Sequence, residues 1–224
     1  MFFSLSIMSS SVPDLPVPLA DLVKHIAKQP ETPLAELIEP YRRYEAHLRQ
    51  AFAQEPGSGL LKDPHVNVLP LFTEDTSSIK VRARNLAAES SEEKSRYIMS
   101  LPKDVRRPDG TPAVVTTPKE FQRNFNVFSE SSLTELDWSN VVAAGSSVVN
   151  CLLPVPEEYN STKRGLREFY HEKFSPASDV DLFLYDLTEE EAVEKIKEIE
   201  TRVRDVLLTE TTTVRTKHAV TICK

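Results

Sequence analysis

Residues Ser178 to Tyr185 read SDVDLFLY: two aspartates, at i and i+2, open an apolar run. Side chains alternate faces along a strand, so Asp179 and Asp181 share one face while Val180 and Leu182 share the other. Two neighbouring carboxylates repel. The pair is tolerated if it is solvated, if one member is protonated, or if a cation sits between them.

Upstream of this stretch the chain offers a second apolar strand, NVVAAG over 140–145, then a turn at Gly145-Ser146-Ser147 and an apolar helix start, VVNCLL. Backbone N–H groups and hydroxyls at such a turn favour a phosphate. The acid-x-acid pair supplies the hard oxygen ligands that Mg²⁺ prefers, leaving coordination positions for a nucleoside triphosphate. Between the two lies a polar insertion, Pro154 to Ser178. Downstream, LTEEEAVEKIKEIETRVRDVLL predicts a long helix: Thr188 and Glu191 fit a capping box, and Val193, Ile196, Ile199, Val203 and Leu207 form an apolar stripe. TETTTVRT and HAVTIC, rich in β-branched residues, predict two further strands.

Ahead of the first strand, PKEFQRNFNVF places Phe121, Phe125 and Phe128 on one helical face, and SSLTELDW brings Leu133, Leu136 and the sole tryptophan, Trp138, into the expected core. Cys151, within an apolar run, reads as a small buried hydrophobe. His171 and His218 read as surface residues.

The remaining N-terminal part is punctuated by most of the chain's 16 prolines. It predicts one helix near Pro18–Gln29. A second is capped by Thr32 with Pro33 in its first turn, carries Leu34, Leu37, Ile38, Tyr41, Tyr44, Leu48 and Phe52 at helical spacing, and is kinked or split at Pro40. From Glu55 to Gly110 turn formers and charges surround the short apolar pieces VNVLPLF and RYIMSLP. The basic clusters VRARN and DVRR fit scattered surface arginines better than a phosphate site. The fold class expected is α+β: a helical, loop-rich region over 1–117, then a domain over 118–224 in which a small mixed sheet is backed by helices.

Composition narrows the function. With 224 residues and a net charge of −7, the chain has an ordinary globular balance and no general nucleic-acid-binding charge. Two cysteines with no CxxC spacing give neither a disulfide framework nor a zinc site, and suit a reducing compartment. MFFSLSIM is apolar but lacks a basic n-region, and no stretch approaches the ~20 apolar residues of a membrane span. The expectation is an intracellular protein, cytoplasmic or nuclear, with no membrane partner.

VVAAGSSVVNCLL followed by SDVDLFLY resembles the nucleotidyltransferase superfamily to which DNA polymerase beta belongs, whose signature is an apolar strand, Gly-Gly or Gly-Ser, and an acid-x-acid pair on the next strand. The wider stretch from Pro118 onward is more specifically similar to an uncharacterised domain of large fungal, amoebal and giant-virus proteins, some of which carry ankyrin repeats that could bind protein partners. The resemblance implies that Gly145, Ser146 and Ser147 hold phosphate and that Asp179 and Asp181 bind Mg²⁺ or Mn²⁺. It implies transfer of a nucleotidyl group from a nucleoside triphosphate to an acceptor hydroxyl. This chain departs from the pattern in two ways. The stretch from Ser146 to Asp179 is longer than usual, so an insertion must fold away from the site. The superfamily's third acid, expected on a later strand, has no counterpart, since no Asp or Glu follows Glu210. The similar domains also continue into further strands. The expectation is a C-terminally truncated domain, weak or inactive as an enzyme. The rival readings are a non-catalytic interaction module on a degenerate form of the same fold, and a nucleotide sensor without turnover.

Overall fold

A computed structural model describes residues 12–55, 57–63, 65–85, 87–95, 106–207 and 209–224. MFFSLSIM and RYIMSLP lie outside the described residues. The chain divides into two compact units, Met1–Lys80 and Val81–Lys224.

In the first unit a 3-10 turn, Leu19–Asp21, leads into helix α1, Leu22–Ala27, and a proline-bounded turn then opens helix α2, Leu34–Gln54. The cap of α2 is Pro33 rather than Thr32, with no side-chain capping bond. The helix also runs unbroken through Pro40. Proline removes one backbone donor near the start of this 21-residue helix, and the remaining ladder is long enough to carry the loss. Leu37, Tyr41, Leu48 and Ala51 form the buried stripe of α2, and the Tyr41 hydroxyl donates to the Val17 carbonyl at 3.1 Å. Because the stripe passes through Ala51, Phe52 falls outside it and is 79% exposed.

The second unit contains a short helix α3, Ser91–Ser95, followed by α4, Pro118–Phe128. The Thr117 hydroxyl caps α4 by accepting from the Glu120 N–H at 3.2 Å, with Pro118 in the first turn where its missing donor costs nothing. Left-handed residues Glu130 and Ser131 turn the chain back after α4. Strand β1, Val141–Ala144, helix α5, Ser146–Leu152, and the short helices α6, Glu157–Asn160, and α7, Lys163–Glu168, come next. A π-helical turn, Phe169–Phe174, precedes strand β2, Asp181–Leu184, and helix α8, Glu189–Val206. Strands β3, Thr212–Arg215, and β4, Val220–Cys223, complete the order.

The expected mixture of helices and small sheet is present, but the strands do not form one mixed sheet. They make two separate antiparallel ladders, β1 with β2 and β3 with β4. The second closes through a tight turn in which the Thr216 N–H donates to the Ala219 carbonyl at 2.8 Å. A short hairpin loop costs little entropy to close, so β3 and β4 pair with each other.

The core of this unit gathers Phe125, Phe128, Leu133, Leu136, Val141, Cys151, Leu166, Tyr170 and Ile199. Trp138, expected among them, is 38% exposed, its ring tilted against Phe125 at 6.2 Å. The polar insertion is no mere excursion. It buries Leu166 and Tyr170, whose ring meets Phe128 edge-on at 5.6 Å. Residues ahead of α4 join the same unit: Val115 is buried, and its N–H donates to the Leu152 carbonyl at 2.8 Å. Helix α8 carries the full Thr188–Glu191 capping box and packs Ile199 and Val203 on the core, while Val193 is exposed.

Candidate functional site

Alternation along the β1–β2 ladder builds the site. Val141 and Ala143 face the core on β1, as do Leu182 and Leu184 on β2, with Val180 continuing that inner row just ahead of the strand. Val142, Phe183 and Asp181 are exposed on the outer face. Asp179 is also exposed, but it lies outside the strand expected to carry both acids, since β2 begins only at Asp181.

The register pairs Ala144 with Asp181. This puts the carboxylate at the end of β1, where the chain turns through Gly145 into α5. Gly145 has φ 79° and ψ −157°, a conformation open essentially to glycine alone. A Cβ added there would stand 2.6 Å from Asp181 Oδ2, so the missing side chain is also what lets the carboxylate lie against the turn.

The serines divide their roles. Ser146 is exposed at the start of α5, whereas Ser147 is fully buried and its hydroxyl donates to the Ala144 carbonyl at 3.3 Å. The Ser147 side chain therefore holds the turn, and the only hydroxyl the turn presents to solvent is that of Ser146.

Among the described residues neither Asp179 nor Asp181 accepts a hydrogen bond or forms an ion pair. Both are exposed, so their oxygens face solvent. They amount to two hard donors, which suits Mg²⁺, a cation that retains waters and takes its other ligands from phosphate. Among the described residues no group of three or more His, Cys, Asp and Glu side chains comes together, and β3 and β4 carry no carboxylate. The residues thus fit a cation shared with a phosphate ligand better than a closed, all-protein cage.

Other reactive groups are occupied elsewhere. Arg84 pairs with Glu89, and Arg107 donates to the carbonyls of Pro112 and Ala113, so these arginines of the two basic clusters serve local structure. His171 is half-buried, with Nε2 3.2 Å from the Val127 carbonyl. Burial pushes the Cys151 thiol up to about 12 and raises the Tyr170 phenol well above its ordinary range, so neither serves as an acid or base near neutrality. A cleft of about 520 Å³ lined by Phe121, Phe125, Trp138 and Ala143 opens on the inner side of β1, away from the aspartates.

Sequence reading missed two residues of the outer face. Phe183 and Tyr185 are 58% and 53% exposed, although they lie in the apolar run SDVDLFLY. The signal was the same alternation that places Asp181. Among the described residues no helix is long and apolar enough to cross a membrane. Comparison with family models, curated proteins and solved structures finds no match to this chain.

Proposed function

We propose that the second unit is a nucleotidyltransferase-like domain of the superfamily that includes DNA polymerase beta. The observation that carries this reading is the Ala144–Asp181 register, which sets an unpartnered carboxylate against a Gly-Ser turn. In this reading Asp179 and Asp181 hold Mg²⁺ or Mn²⁺, and the Ser146 hydroxyl with the Gly145–Ser147 backbone holds phosphate. The bound cation would neutralise the charge on the phosphates of a nucleoside triphosphate. The residues of the turn would hold the triphosphate along the outer face, so that an acceptor hydroxyl would bond to the α-phosphorus as the α–β anhydride breaks, with pyrophosphate leaving and the hydroxyl proton passing to solvent. In this reading, with two carboxylates and no third acid grouped with them among the described residues, the domain is expected to turn over weakly or not at all.

Melting curves with Mg²⁺ or Mn²⁺ and nucleoside triphosphate test the proposal. Binding to the native state alone adds about 2.7 kcal/mol at a hundredfold excess over Kd. The shift is expected in the wild-type chain and absent from the Asp179→Asn, Asp181→Asn double variant. A double variant that is clearly less stable without metal would make the aspartates structural and sink the reading.

A second reading, a non-catalytic interaction module, is favoured by the exposure of Val142, Phe183 and Tyr185 beside the acids. It predicts partner binding that neither Mg²⁺ nor the aspartate substitutions alter.

A further inference from the structure

The outer face of the β1–β2 ladder presents its groups in a fixed order. The Gly145–Ser146 turn comes first, then Asp181 beside Ala144, then Phe183 beside Val142, then Tyr185. The ladder does not end at Leu184: the Tyr185 N–H donates to the Asn140 carbonyl at 3.2 Å, which carries the strand line one residue further. Each step from one outward residue of β2 to the next covers about 6.6 Å. Phe183 and Val142 are directly paired and both project outward, 58% and 47% exposed, so together they form an apolar platform one step beyond the carboxylate.

A ligand whose anionic end sits at the turn, and which passes Asp181, arrives next at this platform. The geometry points to Phe183 as the surface on which the base of the bound nucleoside triphosphate stacks, with Val142 widening the contact. This rests on the nucleotide-binding reading and adds to it the residue that holds the nucleoside half. The phosphates occupy the turn, the sugar spans the step between Asp181 and Phe183, and the base lies on the ring. An aromatic face accepts any base, because every base has a π-face to offer. Phe183 therefore supplies affinity and position rather than base identity, and purines, with the larger ring area, bind more tightly than pyrimidines.

The test compares nucleoside triphosphates with inorganic tripolyphosphate, each with Mg²⁺, on the full 224-residue chain. Isothermal titration of wild type, Phe183→Ala and Phe183→Leu is expected to show at least about a fivefold loss of triphosphate affinity in both variants. Tripolyphosphate binding should not change. Phe183→Trp is expected to retain affinity, and its added fluorescence should be quenched by nucleoside triphosphate but not by tripolyphosphate. Because the ring is more than half exposed, these variants remain folded, which a wild-type melting temperature confirms. If Phe183→Ala binds nucleoside triphosphate as tightly as wild type, or loses tripolyphosphate equally, the stacking role is overturned while nucleotide binding at the turn stands. If wild type binds neither ligand, both readings fall together.

Discussion

The Asp181 carboxylate lies where a side chain on Gly145 would stand: an added Cβ would be 2.6 Å from Oδ2. The contact links the end of β1 to the start of β2, and it depends on two separate properties of glycine. One is the absent Cβ, the other the backbone conformation at φ 79°, ψ −157°.

Replacing Gly145 by alanine separates these properties. The backbone strain of this region costs about 1–3 kcal/mol and cannot be relieved by moving a neighbour. The steric contact is with the far end of an aspartate, which swings aside cheaply. Urea titration is therefore expected to show Gly145→Ala destabilised within that range, with Asp181→Ala restoring little of the loss. Full recovery in the double variant would mean that the contact, not the backbone, sets the cost.

Acid should weaken the fold. Glu130 is held below the usual carboxylate range by a hydrogen bond from Lys224, with further attraction from Lys224 and Arg167. Asp137 is lowered by the Ser139 N–H and hydroxyl and then by Lys195, and Glu191 by the Thr188 N–H and hydroxyl at the start of α8. Each group binds its proton less tightly folded than unfolded. Its contribution is present in full above the ordinary carboxylate range, near pH 4, and is lost as pH falls through the lowered folded value. Melting temperatures should fall across that window, and Glu130→Gln should flatten the slope. A slope unchanged in this variant would remove Glu130 from the account.

The two thiols should differ sharply. Cys151 is fully buried and its thiol is pushed up to about 12, while Cys223 is exposed on β4. Since the thiolate is the reactive form, a thiol reagent added to native protein should modify Cys223 quickly and Cys151 only on unfolding. Rapid modification of both in native conditions would show that the core opens readily.

Tyr170 is buried for its ring rather than its hydroxyl. The ring meets Phe128 and Phe169 edge-on, at 5.6 Å and 5.2 Å, while the hydroxyl has no hydrogen-bond partner among the described residues. A buried donor without a partner is a cost, so Tyr170→Phe is expected to leave stability unchanged or raise it. Tyr170→Ala should cost about 3–5 kcal/mol through the cavity it leaves. Chemical denaturation of the two variants measures both, and a clear loss in Tyr170→Phe would reveal a bond to the hydroxyl.

What the sequence by itself determined are the features written between near neighbours. The Thr188–Glu191 capping box and the helical face that carries Phe125 and Phe128 follow from groups three or four residues apart. The outward placement of Asp181 and Phe183 follows from the two-residue period of a strand. The tertiary structure alone decided which segments meet. Ala144 faces Asp181 only because the residues between them, read as a polar insertion, bury Leu166 and Tyr170 and return the chain antiparallel to β1. It also turned the Ser147 hydroxyl inward, left Trp138 partly exposed and carried α2 through Pro40. Short-range hydrogen bonds and side-chain alternation are encoded residue by residue. Pairing across a long loop depends instead on the balance between the entropy of closing it and the packing of the whole core, which no single stretch of sequence contains.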